Sequence, residues 1–125
     1  MFEKIVNEKE QLTTITVTWE FDFSELMSVL KVFFDDNNTE NLLLDLRDSS
    51  LDSITTDHIR NLGKYAISRN NGGSRINGKT ALVGSSDLQF GMSRMFKTYS
   101  EMEESAIEVS VFRSKEEALS WLEEG

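Results

Sequence analysis

The sequence predicts one α/β domain, residues 1–125, with about five strands in a mainly parallel sheet, an antiparallel hairpin at its N-terminal edge and four helices. Polar and apolar residues alternate with the two-residue period of a half-buried strand near the start, Thr14, Thr16 and Thr18 against Ile15, Val17 and Trp19, and again near the end. Apolar runs too brief for helices lie between these stretches. Longer segments with apolar residues every three or four positions separate the runs, which is the spacing of helices crossing over between parallel strands.

Residues 2–7 and 12–19 read as two strands joined through the polar Asn7, Glu8, Lys9 and Glu10. Phe23, Leu26, Met27, Leu30, Phe33 and Phe34 form one stripe of a first helix. Asp22 and Glu25 open it as a capping box, and residues 35–38, Asp-Asp-Asn-Asn, close it. Leu42, Leu43, Leu44 and Leu46 lie in a run too short for a helix, so residues 42–46 read as a strand buried on both faces. Ile59, Leu62, Gly63 and Ala66 mark a second helix from about 55 to 68, ended by Asn70, Asn71, Gly72 and Gly73, which tolerate positive φ. A fourth strand follows at 80–83. Leu88, Met92, Met95, Phe96, Tyr99 and Met102 give the third helix its apolar stripe, with Ser86 and Gln89 as a second capping box. Ile107, Val109 and Val111 alternate with Glu108 and Ser110 in a fifth strand. Ser114 with Glu117 starts a last helix whose inner face is Ala118, Leu119 and Leu122.

Composition narrows the function classes. The chain has 22 acidic and 13 basic residues, a net charge of −9, which opposes attraction to nucleic acid phosphates and to anionic lipid surfaces, so nucleic acid is not an expected partner. No run of about 18 apolar residues is present to span a bilayer, and residues 1–8 lack the basic start and apolar stretch of a secretion signal. The expectation is a cytoplasmic protein without stable membrane insertion. Zero cysteines remove disulfides, thiolate metal sites and cysteine nucleophiles.

The element order, with Gly91, Met92, Ser93, Arg94, Met95 and Phe96 on the helix after the fourth strand and Val-Phe-Arg-Ser-Lys-Glu-Glu-Ala-Leu-Ser-Trp-Leu at 111–122, resembles the SpoIIAA-like proteins. These belong to the broader STAS-like group, related in fold to the CRAL-TRIO lipid-transfer domains. The similarity covers most of the chain and is most specific from Lys79 to Gly125. It implies successive βα turns and a domain that binds or regulates rather than catalyses. In STAS regulators a strand ending near an Asp leads to an Asp-Ser-Ser-Gly turn at a helix start, where a partner kinase phosphorylates one serine. Residues 45–54, Asp-Leu-Arg-Asp-Ser-Ser-Leu-Asp-Ser-Ile, sit in the corresponding place, with Asp52 and Ser53 the nearest match and Ile54 and Thr55 following where the pattern has Ser-Gly. Ser53 is the candidate phosphorylation site, while the plainer reading is that Ser53 or Thr55 simply caps the helix.

Residues 73–80, Gly-Ser-Arg-Ile-Asn-Gly-Lys-Thr, fit the spacing of a phosphate-binding loop, but that chemistry needs the loop to leave a strand and enter a helix, and here the order is reversed. The turn at 84–87 has the right order. There Gly84, Ser85 and Ser86 could hold an anion or polar ligand, with Arg94 further along the helix, although Asp87 already complements the helix dipole and Ser86 also reads as a plain cap. His58 is the one histidine, and an enzyme reading would rest on it with Asp52 and Asp57. No catalytic residue, metal or cofactor is expected. Phe21, Phe90 and Trp121 fall off their helical stripes and are candidates for an interface, a pocket mouth or a cover over the sheet edge.

The sequence thus predicts a non-enzymatic regulatory or binding module acting through a protein partner or, as a homodimer, through a second copy of itself. The alternative is a lipid or other small apolar ligand held beneath the helix layer by Phe23, Phe33, Phe34, Met92 and Phe96, with Phe90 near the opening.

Overall fold

Among the described residues, nine elements follow one another in the predicted order: β1 (Phe2–Asn7), β2 (Leu12–Glu20), α1 (Phe23–Asp35), β3 (Asn41–Ser50), α2 (Thr56–Asn71), β4 (Lys79–Val83), α3 (Asp87–Met102), β5 (Glu108–Phe112) and α4 (Lys115–Glu123). The structure, a computed structural model, describes residues 2–20, 22–35, 39–71, 78–102 and 107–124. Phe21, the acidic pair Glu103 and Glu104, and most of the glycine-rich segment at 73–80 therefore lie outside the described residues.

The strands form one sheet in sequence order, β1-β2-β3-β4-β5, with β1 antiparallel to β2 and the remaining neighbours parallel. Because each βαβ unit steps to the adjacent position in the same direction, crossovers of one hand put α1, α2 and α3 on one face. The main core lies there. Ile15, Val17, Leu42, Leu44, Leu46, Leu82 and Val109 from the sheet meet Leu26, Leu30, Phe33, Ile59 and Leu62 from the helices. The other face carries α4 alone, whose Ala118 and Leu122 cover Leu43, Ala81 and Val83. On that face the register sets Ile5 beside Thr14 and Glu3 beside Thr16, and Ile5 remains 58% exposed.

Four elements differ from their expected form. α2 continues to Asn71, past the expected 68, so Asn70 and Asn71 lie within the helix that they were expected to end. β3 runs to Ser50, past the expected 46, because β2 continues beside it after a register shift between Thr16 and Thr18. That shift, with a left-handed φ of 67° at Trp19, turns the indole out of the row of Ile15 and Val17 and leaves it 75% exposed. In α3 the innermost positions are Gln89, Ser93 and Ser100, while Leu88 is 43% exposed and Met102 also points outward. Met92, Met95, Phe96 and Tyr99 still pack against the core from its flanks. The capping boxes are as expected: Asp22 Oδ1 accepts from Glu25 N–H at 2.9 Å, and Ser114 Oγ from Glu117 N–H at 3.3 Å. No helix among the described residues is long and apolar enough to cross a membrane.

Candidate functional site

The carboxyl ends of the parallel strands are where open α/β sheets ordinarily place ligands. At the turn between β4 and α3, Ser85 and Ser86 N–H both donate to Gln89 Oε1, at 3.0 and 3.2 Å, while Gln89 N–H donates to Ser86 Oγ at 3.1 Å. The buried Gln89 side chain continues across to β3, donating from Nε2 to Ser49 O at 2.8 Å and Arg47 O at 3.2 Å. Gly84 is required by this approach, since a Cβ there would sit 2.7 Å from Gln89 Cβ. The two N–H groups an anion would need are thus directed at an amide oxygen of the protein itself. Arg94 is exposed further along α3. The guanidinium that reaches the turn belongs to Arg113, which donates to Ser85 O at 3.0 Å and to Asp87 Oδ1 at 3.2 Å, with its Cζ 4.3 Å from the Phe90 ring centre. Phe90 is half-buried under that arginine.

Beside this turn, Asp45 is 3% exposed and accepts from Arg47 through Nε at 2.9 Å, Nη2 at 2.8 Å and the backbone N–H at 3.1 Å. Burial pushes the carboxyl up, but the Arg47 side-chain and backbone hydrogen bonds, with the charges of Arg47 and Lys115, outweigh it and hold Asp45 below its ordinary 3.8. The short loop after β3 then enters α2 through Thr55. Thr55 Oγ1 accepts from His58 N–H at 3.2 Å and Thr55 N–H donates to His58 Nδ1 at 3.1 Å, a reciprocal cap in which histidine takes the place usually held by Glu or Gln. The imidazole also stacks on Phe23, with ring centres 4.5 Å apart and planes 11° apart. Thr55 caps α2, and Ser53 is exposed in the preceding loop.

Ser53 walls an open hollow of about 360 Å3 with Glu20, Asp22, Glu25, Ser50 and Asp52, at the carboxyl ends of β2 and β3. Four carboxylates line it. A phosphate at Ser53 would meet those like charges, the arrangement in which phosphorylation repels rather than docks locally. Among the described residues no three His, Cys, Asp or Glu side chains converge closely enough to hold a metal ion. Trp19, which is exposed, immediately precedes Glu20 in β2 and is not itself among the residues that wall the hollow.

Beneath the helix layer, Phe34, Met92 and Phe96 line an apolar cavity of about 60 Å3, together with residues such as Leu44, Leu62 and Ser93. Phe33 is fully buried in the core beside it and meets Phe34 edge-on, while Phe23 is occupied by His58. The volume is well below the roughly 300–1,000 Å3 of usual small-molecule sites, too small for a lipid acyl chain. Lys79, which ends the glycine-rich segment, turns its ammonium to the C-terminus of α4, donating to Trp121 O at 2.8 Å and lying 4.9 Å from the Trp121 ring centre. It is a helix cap, and Trp121 is part of the packing it covers.

No family model matches the chain, and no curated protein matches it. Its own side chains carry the functional argument. Sequence reasoning brought Ser86 and Gln89 together as a cap but missed Gln89 as the tie to β3, Arg47 as the partner of Asp45, and Trp19 as a surface residue. The capping-box spacing and the i,i+2 spacing of Asp45 and Arg47 on one face of a strand were available signals.

Proposed function

We propose that the chain is a small non-enzymatic binding module of SpoIIAA-like type that docks a basic segment of a protein partner along the rim formed by Trp19 and the acid-lined hollow. The exposure of Trp19, in a backbone conformation that is a genuine outlier for a bulky residue, carries the reading. Large aromatic side chains are favoured anchors at interfaces, and an indole face attracts Lys or Arg. Glu20, Asp22, Glu25 and Asp52 supply complementary charge beside it. These carboxylates line one hollow without three of them coming close enough to hold a metal ion, which suits a chain with several cations better than one metal ion. The net charge of −9 disfavours a second acidic copy at the same place. His58, engaged in the α2 cap, and Asp45, held by Arg47, serve the structure in this reading.

A photoreactive benzophenone side chain replacing Trp19, with the same group at the exposed Lys64 of α2 as control, tests the proposal in cells. The reading expects crosslinks at 19 to Lys- or Arg-containing peptides of another protein, reduced when Glu20→Lys and Asp52→Lys are introduced. Equal labelling at 64, labelling of a second copy of this chain, or a yield indifferent to charge reversal would overturn it.

A further inference from the structure

The cavity between the sheet and its three-helix layer presents a different chemistry, independent of the docking rim. Ser93 lines it, is 3% exposed, and its Oγ is the buried side-chain polar atom without a hydrogen-bond partner among the described residues. A helical serine or threonine has a ready partner in the carbonyl of the preceding turn. Ser28 donates to Ser24 O at 3.0 Å, Ser68 to Tyr65 O at 2.8 Å and Thr98 to Arg94 O at 3.0 Å, so three other helical hydroxyls among the described residues take that option. Ser93 does not. A buried unpaired hydroxyl is costly to keep, and alanine would fill the position without that cost.

We propose that this cavity is a binding site for a small, neutral, mostly apolar molecule with one hydrogen-bonding atom, which pairs with Ser93. Three properties set the ligand class. The lining contains Thr80, Ser93 and Ser100 as its polar residues and no charged one, so a carboxylate or ammonium would lose its hydration without compensation. The apolar walls, including Leu44, Leu62 and Leu82, favour a hydrocarbon body. A volume of about 60 Å3 limits that body to a few heavy atoms, less than the benzene accommodated by an engineered cavity of roughly 150 Å3. A short-chain alcohol has the right chemistry and bulk. Met92 and Ile67 are half-buried and reach from the cavity to the outside, so adjustment of the flexible Met92 offers a way in.

Methyl NMR of the full chain with two probes, 1-propanol and xenon, tests this. Both are expected to shift the methyl resonances of Leu44, Leu62 and Leu82. Ser93→Ala should weaken propanol about five-fold, the loss of one hydrogen bond, while leaving xenon binding unchanged. Ala66→Leu, which fills the space, should abolish both. Absence of shifts at these methyls in the unaltered chain, or a Ser93→Ala effect that is nil for propanol or equal for the two probes, would overturn the proposal whether or not Ala66→Leu folds.

Discussion

Gln89 holds more of the sheet's carboxyl end together than its polar character suggests. Its amide accepts from two N–H groups of the turn and donates to two carbonyls of β3, so Gln89→Ala leaves several buried groups unpaired at once. The expected loss is about 2–3 kcal/mol in equilibrium denaturant unfolding, where a surface-like loss below about 0.5 kcal/mol would show that the amide does not tie the turn after β4 to β3. The same region sets an acid limb of stability. Asp45 has its folded pKa held below 3.8, so the Asp45–Arg47 pair contributes fully above that unfolded value and loses its contribution as pH falls through the lower folded one. Asp45→Asn should flatten the decline of stability below about pH 4 while leaving the slope near neutrality unchanged. An unaltered acid limb in the variant would assign it to other carboxylates.

At the scale of elements, the α/β order was readable because each helix carried an apolar stripe and each strand a short or alternating run, as in Phe23 to Phe34 and Ile107 to Val111. Starts were legible where side chains follow the ordinary capping pattern, at Asp22, Ser86 and Ser114. The start of α2 was also read at about Thr55, with Ser53 or Thr55 as its cap; what the pattern did not show is that His58 supplies the returning acceptor through Nδ1. His58→Glu, which restores the usual box, is expected to keep the stability of α2, whereas Thr55→Ala should cost about 1 kcal/mol in thermal unfolding. A loss in His58→Glu equal to that in Thr55→Ala would mean that the Phe23–His58 stacking contributes as much to this helix start as the cap does. The ends of β2 and β3 were illegible for a different reason. Whether Trp19 continues the buried row of Ile15 and Val17 depends on a register shift against β3, a property of the pair that neither strand encodes alone. In α3 the apolar stripe misled at its ends: Gln89, Ser93 and Ser100 sit innermost, while Leu88 and Met102 face out.

Across the molecule, coverage is unequal. Three helices close one face of the sheet and α4 closes part of the other, leaving Ile5 and its threonine neighbours at the β1–β2 end open beside an acidic chain of net charge −9. Trp19 is near the carboxyl end of β2, and the four carboxylates line the hollow at the carboxyl ends of β2 and the central strand β3. An exposed indole next in the chain to one of these carboxylates suits the proposed partner carrying the opposite charge. The most direct measurement is a titration of the isotope-labelled chain with a short Lys- and Arg-containing peptide at about 0.15 M salt, where general charge attraction is screened beyond roughly 8 Å. The account predicts saturable NMR shifts centred on the Trp19 indole and on residues 20–25 and 50–53, abolished by Glu25→Lys with Asp52→Lys. Shifts scattered over all acidic surfaces, or none at Trp19, would contradict it.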